Sequence, residues 1–389
     1  MARRARQRSP DGDAPRGDAH REDGNPGQGE SWPEELLAWY RENRRILPWR
    51  EKPTPYSTWV SEIMLQQTRV ESAIPYYVRF LERFPTLGDL ARAPLEEVLA
   101  LWSGLGYYRR ARSLHEGARV VLEQHGGQFP REIDEALSIP GVGPYTAGAV
   151  LSIAYNLPVP VVDGNVERVL CRFYRVSGDP RSARNSRQLR TLAADLIPSG
   201  KASSFNQALM ELGATVCTPL SPLCGRCPIG SGCRTRVRGD AGNFPARAPG
   251  RPTVSVLLEA VVLRKGDLYL LEKREGKEFL DGLCLFPFEE IRDIGDPRGR
   301  RRAPERPSPV LVSALSRRIG LDVAQASYLG EIRHSITYRR FRVRSFLLDI
   351  GRHDRLALPP GFSWKLIEEF GKSVPVSSLA FKIAGLIPR

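Results

Sequence analysis

Four of the six cysteines of this 389-residue chain lie close together, in the stretch CTPLSPLCGRCPIGSGC. Disulfides are rare in cytosolic proteins, where clustered thiols more often bind metal. Zinc sites usually contain two CxxC pairs or Cys/His pairs, whereas this stretch has one CxxC and no histidine. Four thiolates from one short loop suit an iron–sulfur cluster instead. The predicted ligands are Cys217, Cys224, Cys227 and Cys233.

The chain is strongly basic, with 58 Lys and Arg against 44 Asp and Glu and a formal charge of +14. Such an excess favours a polyanionic partner, most simply a nucleic acid. No apolar run is long enough for a transmembrane helix, and no signal peptide is visible. We therefore expect a cytoplasmic protein without membrane contact, and a monomer by default.

The pattern of apolar residues divides the chain into parts. Residues 1–30 are polar and rich in Gly and Pro, which predicts disorder. Residues 31–216 carry apolar side chains at helical spacing, as in LEEVLALWSGL, and are predicted to form an all-α domain. The cysteine loop at 217–236 and a linker at 237–252 follow. Residues 253–389 indicate an α+β domain. VSVLLEAVVLRKGDLYLLEKR is typical of two strands around a Lys-Gly-Asp turn, and PVLVSALSRRIGL of a helix that ends at Gly320.

A helical hairpin is predicted around LSIPGVGPYTAGAVLSIAY. Gly141, Val142 and Gly143 form a tight turn before a helix that starts near Tyr145, where backbone N–H groups can meet an anion. A helix–turn–helix without a ligand would have a similar sequence. Asp163 follows in a loop before the next helix, a place where aspartate is most often an N-cap.

The order of hairpin, aspartate and four-cysteine loop resembles the endonuclease III superfamily of helix-hairpin-helix DNA glycosylases. The segments SEIMLQQT and LWSGLGYYRRAR further resemble the MutY family of adenine DNA glycosylases, from Trp32 to Cys233. This resemblance implies an all-α helix-hairpin-helix glycosylase domain with a 4Fe-4S cluster, followed by an α+β Nudix-like domain. Cys171 and Cys284 fall outside the pattern and are expected in the core.

The resemblance assigns chemistry to several residues. Glu62 matches the catalytic acid, which must protonate adenine before it can leave. Asp163 would stabilise the positive sugar, as one of two carboxylates that flank a glycosidic bond. Tyr145 occupies the position of the Schiff-base lysine in bifunctional relatives, which predicts a monofunctional hydrolase. Tyr145 is expected to contact Asp163 or the attacking water, and Asn165 to orient the sugar phosphate.

DNA contacts follow from the same resemblance. Gln66, Gln67 and Tyr107 match residues that wedge into the duplex once the base is flipped out. The cysteine loop would direct basic residues toward phosphate. These basic residues are Arg226, Arg234 and Arg236.

The C-terminal part resembles the Nudix-like domain with which MutY proteins sense 8-oxoguanine. It lacks the clustered glutamates that bind Mg²⁺ in catalytic Nudix domains, so recognition is predicted rather than hydrolysis. Family members often carry Phe-Ser-His on the recognition loop, where this chain has Ile336, Thr337 and Tyr338. An ordinary hairpin is the alternative interpretation of that loop.

The leading hypothesis is therefore an adenine glycosylase that acts on double-stranded DNA with A opposite 8-oxoguanine or G. A glycosylase of the same fold that removes thymine opposite G is the nearest alternative. A non-catalytic DNA-binding module is disfavoured, because binding alone needs neither Glu62 nor Asp163. A nucleotide pyrophosphatase is disfavoured by the missing glutamates. The degree of discrimination between 8-oxoguanine and G is left open by the altered loop.

Overall fold

The computed structural model describes residues 32–246, 252–276, 280–291, 305–351 and 357–388. The tail predicted to be disordered lies outside these ranges. So do residues 247–251 of the predicted linker and residues 292–304 of a basic loop.

The first described range is all-α, as predicted, and we call it the helical half. Within it, a π-helical turn at Val150–Ala154 directly follows the α-helix at Pro144–Ala149. The helices are α1 (Trp32–Asn43), α2 (Pro48–Glu51), α3 (Pro55–Leu65), α4 (Val70–Arg83), α5 (Leu87–Arg92), α6 (Leu95–Leu101), α7 (Arg109–Gln124), α8 (Ile133–Ser138), α9 (Pro144–Ala149), α10 (Gly164–Tyr174), α11 (Ala183–Asp195), α12 (Ala202–Thr215) and α13 (Arg234–Arg238).

Helix α3 is fixed at its start and buried along most of its length. The Thr54 hydroxyl accepts a hydrogen bond from the Ser57 backbone N–H at 3.1 Å, and the Ser57 hydroxyl accepts one from the Thr54 N–H at 2.9 Å. Pro55 at the first helical position has the backbone φ that a helix needs. Every residue from Tyr56 to Met64 is buried, so α3 is a central helix with neighbours on all sides.

The later described ranges form the β-rich half, a mixed sheet with two helices. The elements are β1 (Val254–Lys265), β2 (Leu268–Lys273), β3 (Cys284–Leu285), β4 (Phe288–Ile291), α14 (Pro309–Ile319), β5 (Ser327–Ile336), β6 (Arg339–Asp349), β7 (Phe362–Leu366) and α15 (Ser378–Ala384). The strand order of the sheet is β3-β2-β1-β6-β5, while β4 pairs with β1 and β7 pairs with β2. Strands β1 and β6 are parallel, from Val254 opposite Arg339 to Arg264 opposite Asp349.

Local signals predicted several of these elements correctly. The hairpin turn between β1 and β2 contains Gly266 with φ of 60°, which glycine tolerates. Helix α14 begins after the N-cap Ser308 and ends before Gly320, whose φ is 70°. The α+β class of this half is therefore confirmed.

One hydrophobic core spans both halves, and hydrogen bonds cross the boundary at its edge. The Tyr108 hydroxyl donates to the Val376 carbonyl and accepts from the Gly104 N–H, both at 3.0 Å. The Val376 N–H donates to the Ser103 hydroxyl at 3.0 Å. The Arg112 guanidinium donates to the Asp281 carbonyl at 3.1 Å. The two halves therefore form a single packed body.

Cys171 and Cys284 are buried, as expected. The start of the predicted linker is part of the folded structure, because Arg175 pairs with Asp240 at 2.8 Å and Arg172 donates to the Phe244 carbonyl at 2.9 Å. Among the described residues, no helix has the length and apolar character needed to cross a bilayer.

Candidate active site and DNA interface

A pocket in the helical half brings together all four residues predicted to be catalytic. It lies between α2 and α3 on one side and α9, α10 and α12 on the other, and we call it the carboxylate pocket. Its lining includes Glu62, Tyr145, Asp163 and Asn165.

Glu62 projects from the middle of α3 and is only 4% exposed. Tyr145, at the start of α9, donates its hydroxyl hydrogen to Glu62 Oε2. Burial raises the pKa of Glu62 to about 7, and the nearby Asp163 adds to this, while Tyr145 and Arg50 oppose it. Burial also keeps the pKa of Tyr145 well above its ordinary value, so the tyrosine retains its proton. Glu62 can therefore be protonated near neutral pH.

Asp163 is the N-cap of α10, as the sequence suggested. Its Oδ1 accepts hydrogen bonds from the backbone N–H groups of Asn165 at 2.9 Å and Val166 at 2.7 Å. Its Oδ2 accepts one from the Asn165 side chain at 2.9 Å. Burial raises the pKa of Asp163, while these donors and Arg168 oppose the rise. An acid that only accepts hydrogen bonds is arranged as a carboxylate.

Two contacts in the pocket were not predicted from the sequence. Tyr145 bonds Glu62 rather than Asp163, because the start of α9 faces the middle of α3. Asn165 bonds Asp163 with its amide hydrogens and accepts from Arg168 at 2.8 Å, so both ends of its amide are used within the protein. Asn165 therefore orients Asp163 in this structure.

An ion-pair network on the far wall was missed by sequence analysis. The fully buried Glu211 carboxylate accepts from Arg45 at 2.7 Å and from Arg50 at 2.8 Å. Glu211 is an isolated carboxylate in the apolar stretch ALMELGATV, and that isolation was the available signal. The network gives the pocket a fixed polar wall, and Arg50 lies close enough to Glu62 to act on its pKa.

A separate groove lies between the two halves. The predicted wedge residues Gln66, Gln67 and Tyr107 line it together with Gly141 of the hairpin and Ile336 of the β-rich half. Tyr107 is 40% exposed, so its ring is available for a contact. The structure thus brings together predicted DNA-contacting residues from four separate parts of the sequence. His334 and Arg112 also line the groove and were not predicted.

Arg110 holds the wall of this groove. Its guanidinium donates to the carbonyls of Ile63 at 2.7 Å and Met64 at 3.0 Å, and also to that of Gln66. These are carbonyls at the end of α3, which lack partners within the helix. The same guanidinium stacks on the Tyr107 ring at 5.2 Å. Arg110 therefore links the end of the helix that carries Glu62 to the wedge residues.

Of the remaining predicted DNA contacts, Gly141 lines the groove, and the others lie outside its lining. Gly141 has φ of 78°, and a Cβ there would lie 2.5 Å from the Ser113 Cβ, so glycine is needed. Val142 is buried and packs in the core, and Gly143 is the N-cap of α9. Thr337 and Tyr338 form the turn between β5 and β6, beside the groove rather than in its lining.

The four clustered cysteines line one cavity, next to Arg172 and Arg236. Arg172 donates to Cys217 Sγ at 3.3 Å and to the Thr218 carbonyl at 2.7 Å. Burial raises the pKa of Cys217, and it raises that of Cys227 to about 11. Within the described ranges, no group of His, Cys, Asp or Glu side chains is arranged to hold a metal ion. Arg226 and Arg234 are exposed on the cysteine loop.

Comparisons with known proteins agree with this fold and site. The family model "HhH-GPD superfamily base excision DNA repair protein" matches residues 60–194, which include the carboxylate pair and the hairpin. The Mus musculus adenine DNA glycosylase is 37% identical over 388 residues, covering 86% of this chain and 74% of the relative. The Homo sapiens enzyme is 37% identical over 391 residues, covering 86% of this chain and 70% of the relative. The chain belongs to the family of adenine DNA glycosylases.

Proposed function

We propose that the protein hydrolyses the N-glycosidic bond of adenine mispaired with 8-oxoguanine or G in duplex DNA, as a step of base excision repair. The observation that carries this proposal is the buried Glu62 carboxyl, whose pKa of about 7 lets it act as an acid beside a second carboxylate. Family membership supplies the substrate class.

Glu62 acts first, as the general acid. Adenine is a poor leaving group until a ring nitrogen is protonated, and Glu62 can supply that proton near neutral pH. The Tyr145 hydroxyl donates to Oε2, so the other oxygen, Oε1, is the one left to carry the transferable proton. Above pH 7 the acid ionises, and the rate should fall with it.

Asp163 acts next, on the sugar. As the base leaves, positive charge develops on the deoxyribose, and a nearby carboxylate stabilises it. The donors from Asn165, Val166 and their helix N-terminus hold the carboxylate ionised and fixed in direction. Water then completes the hydrolysis.

The reaction ends at base release, without strand cleavage. Cleavage through a Schiff base needs an amine nucleophile, and the pocket lining contains no lysine. Tyr145, which stands at the corresponding position, is held protonated and engaged with Glu62. These features support a monofunctional glycosylase.

The groove between the halves suits the opposite strand. The target base must leave the stack, and the gap must be filled. Gln66, Gln67 and Tyr107 can stack or bond in that gap, close to Ile336 of the β-rich half. We assign the base opposite adenine, 8-oxoguanine or G, to this groove.

The cysteine cavity fits a 4Fe-4S cluster by its donor set of four thiols around one space. Each iron of such a cluster takes one thiolate, so the ligands surround a body larger than a single ion. The ligands would be Cys217, Cys224, Cys227 and Cys233. When bound, the cluster would brace the loop that carries Arg226 and Arg234 toward DNA phosphate. Iron content and visible absorption of anaerobically purified protein test this assignment.

Single-turnover base release tests the function. The wild type is mixed with duplexes containing A opposite 8-oxoguanine, A opposite G, and T opposite G. We expect adenine release, fastest opposite 8-oxoguanine, with no strand cleavage. Glu62→Gln should lower that rate on the order of 10³-fold while duplex binding remains. Glu82→Gln, an exposed glutamate on α4, is the matched control.

The outcomes separate the alternatives. Release of thymine instead of adenine would favour the other specificity of this fold. Adenine release by Glu62→Gln at the wild-type rate would show that Glu62 is not the general acid. Binding without any base release would favour a non-catalytic module.

A further inference from the structure

Thr235 differs in burial from the other residues of its helix. Helix α13 has five residues, and the Thr235 side chain is fully buried, whereas the other four residues are exposed. Among these four, Val237 is 78% exposed. Burial of apolar surface alone favours the opposite arrangement, with the valine inside and the threonine in water. The position of Thr235 therefore needs an explanation from its hydroxyl.

The Thr235 hydroxyl lies against one of the four clustered thiols. Its Oγ1 is 3.5 Å from Cys233 Sγ, within hydrogen-bond distance for a sulfur atom. Both residues line the cysteine cavity. The Cys233 thiol also donates to the Arg172 carbonyl, at 3.7 Å. Cys233 Sγ therefore has a carbonyl and a hydroxyl as its hydrogen-bond partners.

Ionisation of the thiol fixes the direction of the hydrogen bond with Thr235. A cysteine that ligates iron does so as a thiolate, which has no proton to donate. The Arg172 carbonyl then has nothing to accept from this sulfur, and the Thr235 hydroxyl can only be the donor. Hydrogen bonds to the ligand sulfurs are among the features that set the reduction potential of an iron–sulfur cluster. They favour the reduced form, because it carries more negative charge.

Cys217 receives a comparable hydrogen bond, but from a donor with a broader role. Arg172 donates to Cys217 Sγ at 3.3 Å, and also to the carbonyls of Thr218 at 2.7 Å and Pro219 at 3.0 Å. Arg172 thus holds the backbone of the cysteine loop as well as a sulfur. The partner that the structure gives the Thr235 hydroxyl is the sulfur alone. Removal of this hydroxyl therefore isolates the effect of one hydrogen bond on one ligand.

We infer that the Thr235 hydroxyl donates a hydrogen bond to the Cys233 thiolate when the cluster is bound, and so protects the cluster from one-electron oxidation. This inference rests on the proposed 4Fe-4S assignment. Thr235 acts on the cluster through Cys233, so it is a positioning residue and not a ligand.

The test is a redox titration of anaerobically purified protein, followed by visible absorption. Mixtures of ferricyanide and ferrocyanide set the potential. One electron passes from the cluster to ferricyanide, which becomes ferrocyanide, and the hydroxyl keeps its proton. Thr235→Val keeps the shape of the side chain and removes the donor. We expect the ratio of oxidised to reduced cluster at a fixed potential to rise about fivefold, the factor that corresponds to one neutral hydrogen bond.

Two further variants and one measurement complete the design. Thr235→Ser keeps the hydroxyl and should keep the wild-type ratio. Thr218→Val removes another hydroxyl of the cysteine loop, which donates to the Ser221 carbonyl at 2.7 Å rather than to a sulfur. Its ratio should stay within about twofold of wild type. Iron content per chain, measured before each titration, should be equal in all four proteins.

An unchanged ratio in Thr235→Val, or an equal change in Thr235→Ser, would overturn the inference. Thr235→Val protein without iron under anaerobic conditions would also overturn it, because the hydroxyl would then be needed for assembly of the loop. Wild-type protein without iron would instead count against the proposed 4Fe-4S assignment, and the inference would fail with it. The iron content of the wild type therefore distinguishes the two failures.

Discussion

The carboxylate pocket and the groove between the halves each contain an unfavourable contribution to the free energy of folding, but the two contributions differ in kind. In the pocket the contribution is electrostatic, because Glu62 and Asp163 are buried together and burial raises both pKa values. In the groove the contribution is conformational, because it comes from backbone strain. Gln67, Tyr107 and Leu280 line the groove with left-handed backbone, at φ of 57°, 51° and 59°.

This difference follows from what each region has to do. An acid is tuned by excluding water, so the pocket is enclosed by buried helices and a fixed ion-pair network. Under the proposed function, a wedge has to project into DNA, and the groove presents exposed side chains on tight turns. Thr337, in the hairpin beside the groove, also has a positive φ, of 53°. Changes in the pocket should therefore alter chemistry, and changes in the groove should alter recognition.

The largest expected effect is on chemistry in the pocket. Asp163→Asn keeps the shape of the N-cap and removes the charge that stabilises the sugar. We expect single-turnover adenine release to fall on the order of 10³-fold. Duplex affinity, measured by gel shift or anisotropy, should stay near that of wild type. Asp195→Asn on α11 is the matched control, and a large loss of affinity would instead indicate a role in binding.

The second prediction concerns how the buried Glu62 lowers the free energy of unfolding as the pH rises. The unfolded chain binds the Glu62 proton with a pKa of 4.5 and the folded protein with one of about 7. The folded state thus holds this proton over that interval, and the free energy of unfolding decreases as pH rises through it. Glu62→Gln removes this dependence, so its stability relative to wild type should rise by roughly 3 kcal/mol from below pH 4.5 to above pH 7.

Denaturant titrations at several pH values measure this difference. A gap between variant and wild type that stays constant with pH would show that the pKa of Glu62 is the same in the folded protein as in the unfolded chain. Such a result would contradict the interpretation that the carboxylate pocket is electrostatically unfavourable.

A smaller effect is expected in the groove. Tyr107→Ala removes a ring that can stack in the gap left by the flipped base. Because stacking on an aromatic ring contributes roughly 1–3 kcal/mol, affinity for the mispaired duplex should fall about tenfold. The bound complex should still release adenine at a rate closer to wild type than the pocket variants do. Tyr107→Phe retains the ring and should bind almost normally.

The smallest effect concerns backbone strain. Thr337 is β-branched and has a left-handed backbone conformation. Glycine at this position would relieve the resulting backbone strain. Thr337→Gly should therefore raise the free energy of unfolding by roughly 0.5–1 kcal/mol and weaken the preference for 8-oxoguanine over G. Lower stability together with an unchanged preference would contradict a role for strain in recognition.

Sequence patterns predicted the features that depend on neighbours in the chain. Asp163 as an N-cap, Gly320 as the end of α14 and the turn at Gly266 all follow from local backbone requirements. The burial of Glu62 agrees with its apolar neighbours Val60, Ile63 and Met64.

Of the site residues taken from family resemblance, the four catalytic ones meet in one pocket. Gln66, Gln67, Tyr107 and Ile336 meet in one groove, whereas Thr337 and Tyr338 lie beside it.

The features that were missed depend on residues far apart in the chain. Glu211 meets Arg45 and Arg50 only after α12 folds against α2, and no local pattern specifies that pairing. The same reason explains the partner of Tyr145, which faces Glu62 across a separation of 83 residues. Parallel pairing of β1 with β6 likewise joins segments about a quarter of the chain apart.

The shared core described above has a mechanical consequence. Tyr108 and Gly282, from opposite halves, lie in the same boundary, where a Cβ on Gly282 would collide with the guanidinium of Arg112. The helical half expressed alone would leave this apolar boundary in contact with water, so it would be prone to aggregate. Two domains on a flexible tether could search for a lesion independently. Here, the shared core and the hydrogen bonds across the boundary hold the groove and the carboxylate pocket in one packed body.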